Sequence, residues 1–173
     1  GVSKGVILPV VNPDCSFQIQ SNEEAYHLTQ EHPDLFYWFC NINPRNGSNT
    51  PDCNLSYFIE YYKALGAKGV GEITANMYFD DPYVENLFYH CQKCKMPVLF
   101  HIGPTIGGCY GLVDELGLPR LEKELAKFPD LQFIGHSQPF WSEISSDVTE
   151  ADRNGYPKGK VTPGRIVELM RKY

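Results

Sequence analysis

Short, nearly continuous apolar runs alternate along this chain with stretches whose apolar residues recur at helical spacing. An apolar run bounded by turn residues predicts a strand buried on both faces, as in a parallel sheet covered by helices. Five runs qualify: 5–11 (GVILPVV), 35–42 (LFYWFCNI), 68–73 (KGVGEI), 96–104 (MPVLFHIGP) and 131–136 (LQFIGH). Between them the period becomes helical. Ser21, with Glu24 three residues on, forms a capping box that opens a helix to about His32, where Pro33 stops it. Leu55, Phe58, Ile59, Tyr62 and Leu65 give 54–65 one apolar face, closed by Gly66. Asp81 and Pro82 stand as cap and first residue of a helix to about Lys95, with Val84, Leu87, Phe88 and Cys91 along one side. Leu121, Leu125 and Phe128 supply the apolar face of 119–128. A last helix, 164–173, follows Thr162-Pro163, and the stretch from 137 to about Val161 is expected to be a long polar loop.

Strand and helix thus alternate five times with a repeat of roughly 30 residues, the length a right-handed βαβ unit needs. Four of the strands close on a similar breaker, VVNP, NINP, HIGP and HSQP. The expected fold class is α/β, a parallel (β/α) barrel of TIM type. It is incomplete, with about five of eight βα units, and 1–173 forms a single domain. A flavodoxin-like open sheet is the alternative, with the glycine-rich loop 103–111 (GPTIGGCYG) as a phosphate cradle. That loop is neither a P-loop nor G-x-G-x-x-G, and a barrel explains better why the strand ends carry polar groups.

The polar groups at those ends are the informative feature. The third, fourth and fifth strands deliver Glu72, His101 and His136, and α/β folds place their chemistry at the carboxyl ends of strands. Imidazole nitrogen and carboxylate oxygen bind zinc, iron or manganese. Neighbouring parallel strands lie ~4.8 Å apart, so side chains on consecutive strand ends can converge on one ion. Such an ion lowers the pKa of bound water towards ~7 and polarises a carbonyl, and a nearby histidine can move the proton. A single histidine after a strand is more often structural; three metal-competent residues in register favour function. His27, His32 and His90 lie on or beside helices and are not expected as ligands. Asn12, Asn43 and Arg45 also sit at strand ends, but Asn-Pro is ordinary turn chemistry. Trp38, Trp141 and Tyr110 could line a pocket or fill the core.

Composition narrows the classes further. Hydrophobic content of 42% over 173 residues fits a domain with a real core, and a net charge of −6 argues against a nucleic-acid surface. No apolar run approaches the ~20 residues that span a bilayer, and no signal-peptide pattern opens the chain, so no membrane partner is expected. Six cysteines are present, yet a chain of this length needs no disulfide framework, and a cytoplasmic setting is expected. Cys91 and Cys94 form a C-x-x-C without a second pair, read as two ordinary helix cysteines. Two Asn-x-Ser patterns, at Asn46 and Asn54, carry no meaning without secretion. The absence of an initiator Met before Gly1 suggests that the numbering starts inside a larger protein.

The ordered set GAKGVGEI, MPVLFHIGP and LEKELAKFPDLQFIGHSQPFW resembles the amidohydrolase-related family of the amidohydrolase superfamily, most strongly over 66–141. That family carries a G-E, a P-x-x-x-H-x-G and an F-P-D-L-x-x-x-x-x-H on successive strands of a (β/α)8 barrel. The resemblance implies that the five runs are barrel strands two to six. It implies a metal ligand at His101, a second-metal ligand or water-activating residue at His136, and a ligand in some branches at Glu72. The family's first-strand H-x-H and eighth-strand aspartate are absent, so the chain looks like the middle of an enzyme. The activity implied for the intact protein is metal-dependent hydrolysis of a C–N or C–O bond in a small, carboxylated substrate. The metal would be a divalent ion, zinc foremost, with manganese or iron possible. The alternative keeps the site and makes it a nonoxidative decarboxylase. A third reading is a catalytically incomplete fragment with a binding or structural role, and a homo-oligomer is possible.

Overall fold

A computed structural model describes residues 1–13, 18–107 and 110–173 of the chain. Cys15, Cys109 and the 108–109 portion of the glycine-rich loop lie outside the described residues. In chain order the elements are β1 (Gly5–Ile7), α1 (Asn22–Glu31), β2 (Phe36–Trp38), α2 (Ser56–Ala64), β3 (Val70–Ile73) and α3 (Pro82–Lys93). They continue with β4 (Val98–Gly103), β5 (Leu112–Val113), α4 (Pro119–Lys127), β6 (Phe133–His136), α5 (Gln138–Ser142) and α6 (Arg165–Lys172).

The named strand pairings are all parallel. β1 pairs with β2, β3 with β4, and β4 with both β5 and β6. The chain just past β2 joins the two sheets: Cys40 bridges to Val70, its N–H donating to Gly69 O at 2.9 Å while Gly71 N–H donates to Cys40 O at 2.7 Å. The order β1-β2-β3-β4-β6 therefore follows the sequence, as successive right-handed βα units require. This is a partial α/β barrel. β5, which no apolar run announces, follows directly on the glycine-rich loop and continues the line of β3 at its carboxyl end: Gly111 N–H donates to Thr74 O, and Leu112 pairs with Ile102.

Most strands are shorter than the apolar runs that announced them. β1 stops at Ile7 because Val10 turns away to pair antiparallel with Gln20, their two hydrogen bonds being 3.1 and 3.0 Å, and Pro9 has no N–H to extend a ladder. β6 starts only at Phe133, since Leu131 N–H still donates to Phe128 O at the end of α4. The short helix α5 occupies the start of what the sequence presented as polar loop.

The helices follow their local signals. Ser21 and Glu24 form the reciprocal capping box at α1. Asp81 accepts from Tyr83 N–H at 2.9 Å with Pro82 next to it, and Val84, Leu87, Phe88 and Cys91 are the buried face of α3. α4 lacks a capping side chain at its own N-cap, Leu118. The Asp114 carboxylate replaces it from a distance, accepting from Arg120 N–H at 3.1 Å and Leu121 N–H at 2.8 Å. Between α3 and the sheet lies an aromatic layer: Phe79 to Phe100 at 5.0 Å, Phe88 to Phe133 at 5.1 Å and Phe100 to Phe140 at 5.7 Å between centroids. Each such ring removed from water contributes about 1.5–3 kcal/mol, which fixes β4 and β6 against the helices.

Candidate metal centre

Strict alternation along β3 would put Glu72 on the same face as Val70, in the apolar layer. The pairing shows how it escapes. Val70 lies opposite Val98 and Ile73 opposite Phe100, so β3 carries one more residue than β4 over this interval. Such a bulge re-aims a side chain. Val70 and Ile73 both stay buried towards the helices, while Glu72 is turned to the other face. Gly71 makes the bulge possible. Its φ is +147°, and a Cβ there would stand 2.4 Å from Leu99 O.

Glu72 is further held from behind by a residue the sequence did not single out. Asn41, fully buried, donates through Nδ2 to Glu72 O at 2.6 Å and to Pro9 O at 2.7 Å. Its own backbone exchanges bonds with the Asn22 side chain, at 2.7 and 2.9 Å. One amide thus ties the carboxyl ends of three successive strand segments together. The signal was visible as an Asn in a strand-like apolar run, where a polar residue has to find partners.

His101 lies in β4 and His136 ends β6, directly opposite each other in the ladder. Ser137 locks that end, its hydroxyl accepting from Ile102 N–H at 3.1 Å and donating to Ile102 O at 3.2 Å. Gly135 allows the Phe140 ring to sit on β6, since a Cβ there would meet that ring at 2.1 Å. The three expected residues meet. His101 Nδ1 is 2.7 Å from Glu72 Oε1, and His136 Nε2 is 3.2 Å from the same oxygen. The imidazole centroids are 5.5 Å apart, and one ligand atom from each residue lies within 4.8 Å of the others. Glu72 is 8% exposed and the His136 side chain 51%, so the cluster has a sealed side and an open one.

The donor set fits a divalent transition ion. Bonds of about 2.1 Å to ligands at right angles separate the ligand atoms by about 3 Å, and the two distances at Glu72 Oε1 bracket that edge. One oxygen and two imidazole nitrogens suit manganese, iron or zinc. The sealed side supplies the fixed backbone that ligand preorganisation needs; the open side leaves positions for water or substrate.

The other candidates fall elsewhere. His27 and His32 are exposed around α1, and His90 is buried in α3 with its Nδ1 2.7 Å from Ser56 Oγ; burial holds it below the usual histidine range. Asn43 Oδ1 accepts from Arg45 N–H at 2.9 Å, an Asx turn as expected, and Arg45 is exposed. Asn12 is buried and donates to Thr74 Oγ1 at 3.2 Å. Cys91 and Cys94 are free and buried, and burial raises both thiols, so neither is a ready thiolate. Trp38 fills the core, Trp141 is partly exposed, and Tyr110 lies against His101 with centroids 4.3 Å apart.

A barrel segment with an oxygen–nitrogen cluster at the carboxyl ends of its strands is thus what sequence and geometry define together. No protein-family model matches the chain, and no curated protein does. Solved structures do. An uncharacterized TIM-barrel protein from Bordetella bronchiseptica superposes with a TM-score of 0.60 at 20% identity, over 82% of this chain and 48% of its own. A 5-carboxyvanillate decarboxylase from Novosphingobium aromaticivorans, complexed with manganese and 4-hydroxy-3-methoxy-5-nitrobenzoic acid, superposes with a TM-score of 0.50 at 18% identity, over 82% of this chain and 48% of its own. These likenesses establish the barrel fold. The chain spans about half the length of either structure.

Proposed function

We propose that the intact protein is a divalent-metal-dependent enzyme that removes carbon dioxide from a small aromatic carboxylate, with 1–173 contributing part of one barrel. The observation that carries this reading is the convergence of His101 Nδ1 and His136 Nε2 on Glu72 Oε1, at 2.7 and 3.2 Å. Of the two reactions the sequence leaves open, decarboxylation is the one that a named structural neighbour carries out, and manganese is the metal with which that neighbour is complexed. That support moves decarboxylation ahead of hydrolysis, and manganese ahead of zinc.

Glu72 and His101 would hold the ion, with His136 as a third ligand or beside it. When bound, it supplies Lewis-acid polarisation of substrate oxygens and charge to hold an anionic substrate. The chain's own residues do the rest. Asn41 and the β3 bulge fix Glu72, so the carboxylate does not reorganise as charge moves. His136 serves in one of two ways: as the third ligand through Nε2 or, protonated and off the ion on the open side, as the group whose proton goes to the ring carbon as the bond from that carbon to the carboxylate breaks and carbon dioxide leaves.

The test uses the full-length parent loaded with manganese, given aromatic carboxylates in one panel and lactones and amides in another. Carbon dioxide release from the first panel, abolished by His101→Ala, is the expected result. Ring opening or amide cleavage in the second panel would return the assignment to hydrolysis. Turnover in neither, with intact metal binding, would leave a binding role as the better reading.

A further inference from the structure

The glycine-rich segment after His101 is held by one side chain. Asn76, just past β3, donates through Nδ2 to Thr105 O at 3.1 Å and to Gly111 O at 3.4 Å, and its Oδ1 accepts from Gly107 N–H. Both described parts of this segment, 103–107 and 110–111, therefore meet on one amide, and that amide orientation alone satisfies two carbonyls and one N–H. The 110–111 part is locked again by Gly111 N–H to Thr74 O at 2.9 Å. It also packs tightly on the centre: Gly111, at φ +125°, leaves no room for a Cβ, which would stand 2.5 Å from Gly103 N and 2.9 Å from His101 Cδ2. The residue before it, Tyr110, is thereby delivered onto His101, with centroids 4.3 Å apart and planes inclined by 48°.

We propose that Asn76 is a positioning residue for the metal centre: it clamps both described parts of this segment so that Tyr110 covers one face of the His101 imidazole. His101 Nδ1 then faces Glu72 Oε1, and the ring is backed on one face by Tyr110. A braced imidazole loses less freedom when it takes a ligand position, so the clamp favours metal binding without touching the metal. The link to metal rests on the reading of Glu72, His101 and His136 as the centre; the clamp itself does not.

The experiment is histidine-resolved NMR on the full-length parent, in the wild type and in Asn76→Asp, Asn76→Ala and Tyr110→Leu. Asn76→Asp keeps the acceptor for Gly107 and loses both donors. In the wild type the His101 ring protons should carry a ring-current shift from Tyr110. Both Asn76 variants should move them to the position seen in Tyr110→Leu, while β4 amides keep their protection from exchange. Gly107 amide exchange should rise ~10-fold in Asn76→Ala only, the loss expected for one hydrogen bond. Should a variant lose β4 protection, Asn76→Ser is the milder substitute. His101 signals that stay in place in folded Asn76 variants overturn the proposal. Titration with Mn2+ alone then reads the link to metal. Asn76→Asp and Tyr110→Leu should each weaken binding ~10-fold, and the double variant no more than either. Additive losses overturn the clamp. Absence of Mn2+ broadening at His101 and His136 in the wild type overturns the metal centre instead, and the imidazole shift still decides the clamp.

Discussion

At the scale of single residues, the molecule shows how differently two buried polar groups can be treated. Asn41 uses both amide protons, so Asn41→Ala leaves the carbonyls of Pro9 and Glu72 buried and unpaired. We expect it to cost about 1–3 kcal/mol in denaturant unfolding. A loss within error would remove Asn41 from the support of the centre. The Asn41 Oδ1 itself has no partner among the described residues, and Glu124 goes further. It is fully buried in α4, and neither carboxylate oxygen has a hydrogen-bond partner among the described residues. Burial, reinforced by Glu85 and Asp80 and opposed by Lys127 and Lys123, pushes its carboxyl up to about 7. The folded state then holds the proton more tightly than the unfolded chain. Stability from this group is full below the unfolded value of 4.5 and declines as pH rises through about 7. Glu124→Gln should therefore be stabilising at pH 8 relative to pH 5, by up to about 3 kcal/mol. Urea midpoints at the two pH values check it, and an effect independent of pH would contradict it. Asp114 shows that hydrogen bonds need not prevent such a shift: it accepts from three backbone N–H groups, yet burial still raises it to about 6.

At the scale of elements, what was legible in the sequence is what local chemistry decides. α3 declares its cap, its proline and its apolar face in the sequence, and it folds from Pro82 as expected but ends at Lys93, short of the expected Lys95. The strand ends bearing Glu72, His101 and His136 were legible because each closes an apolar run with a polar residue, and the parallel order then makes them neighbours. The β3 bulge was not legible, since a bulge is a property of the pair and KGVGEI alone cannot say what Leu99 does opposite it. β5 and α5 were missed for a similar reason: two residues of ladder and five of helix carry too little periodicity to read. Asn76 and Ser137 act on backbone groups far along the chain, so their roles exist only once the strands are placed. The bulge yields a direct prediction. Gly71→Ala sets a Cβ against Leu99 O at a positive φ, and should cost about 2 kcal/mol or more while weakening Mn2+ binding through Glu72. Cys91→Ser is the counterpart. It places a hydroxyl in the apolar face of α3, lowering stability by about 1–2 kcal/mol with Mn2+ affinity unchanged. Zinc or manganese titration that tracks Cys91 would instead return the C-x-x-C to consideration.

At the scale of the whole molecule, the same sequential sheet that assembles the centre leaves work undone at its flanks. Among the described residues β1 pairs only with β2, and β6 only with β4, so each carries one unpaired edge. Beside β6 a cleft of about 560 Å³ runs under α4 and α6, lined by Phe133, Phe140, Leu125, Leu169 and Met170 among others. No helix among the described residues is long and apolar enough to cross a membrane. Unpaired edges and apolar clefts are the features through which chains associate. The 173-residue chain on its own should therefore self-associate or bind a hydrophobic dye. A charge on the cleft wall, Leu125→Lys, should reduce the dye signal without disturbing His101 or His136, which lie on the opposite face of the sheet from Phe133 and Gly135. Sedimentation across a concentration series decides the matter: a weight-average mass that rises with concentration supports the open barrel, and a stable monomer that binds no dye contradicts it.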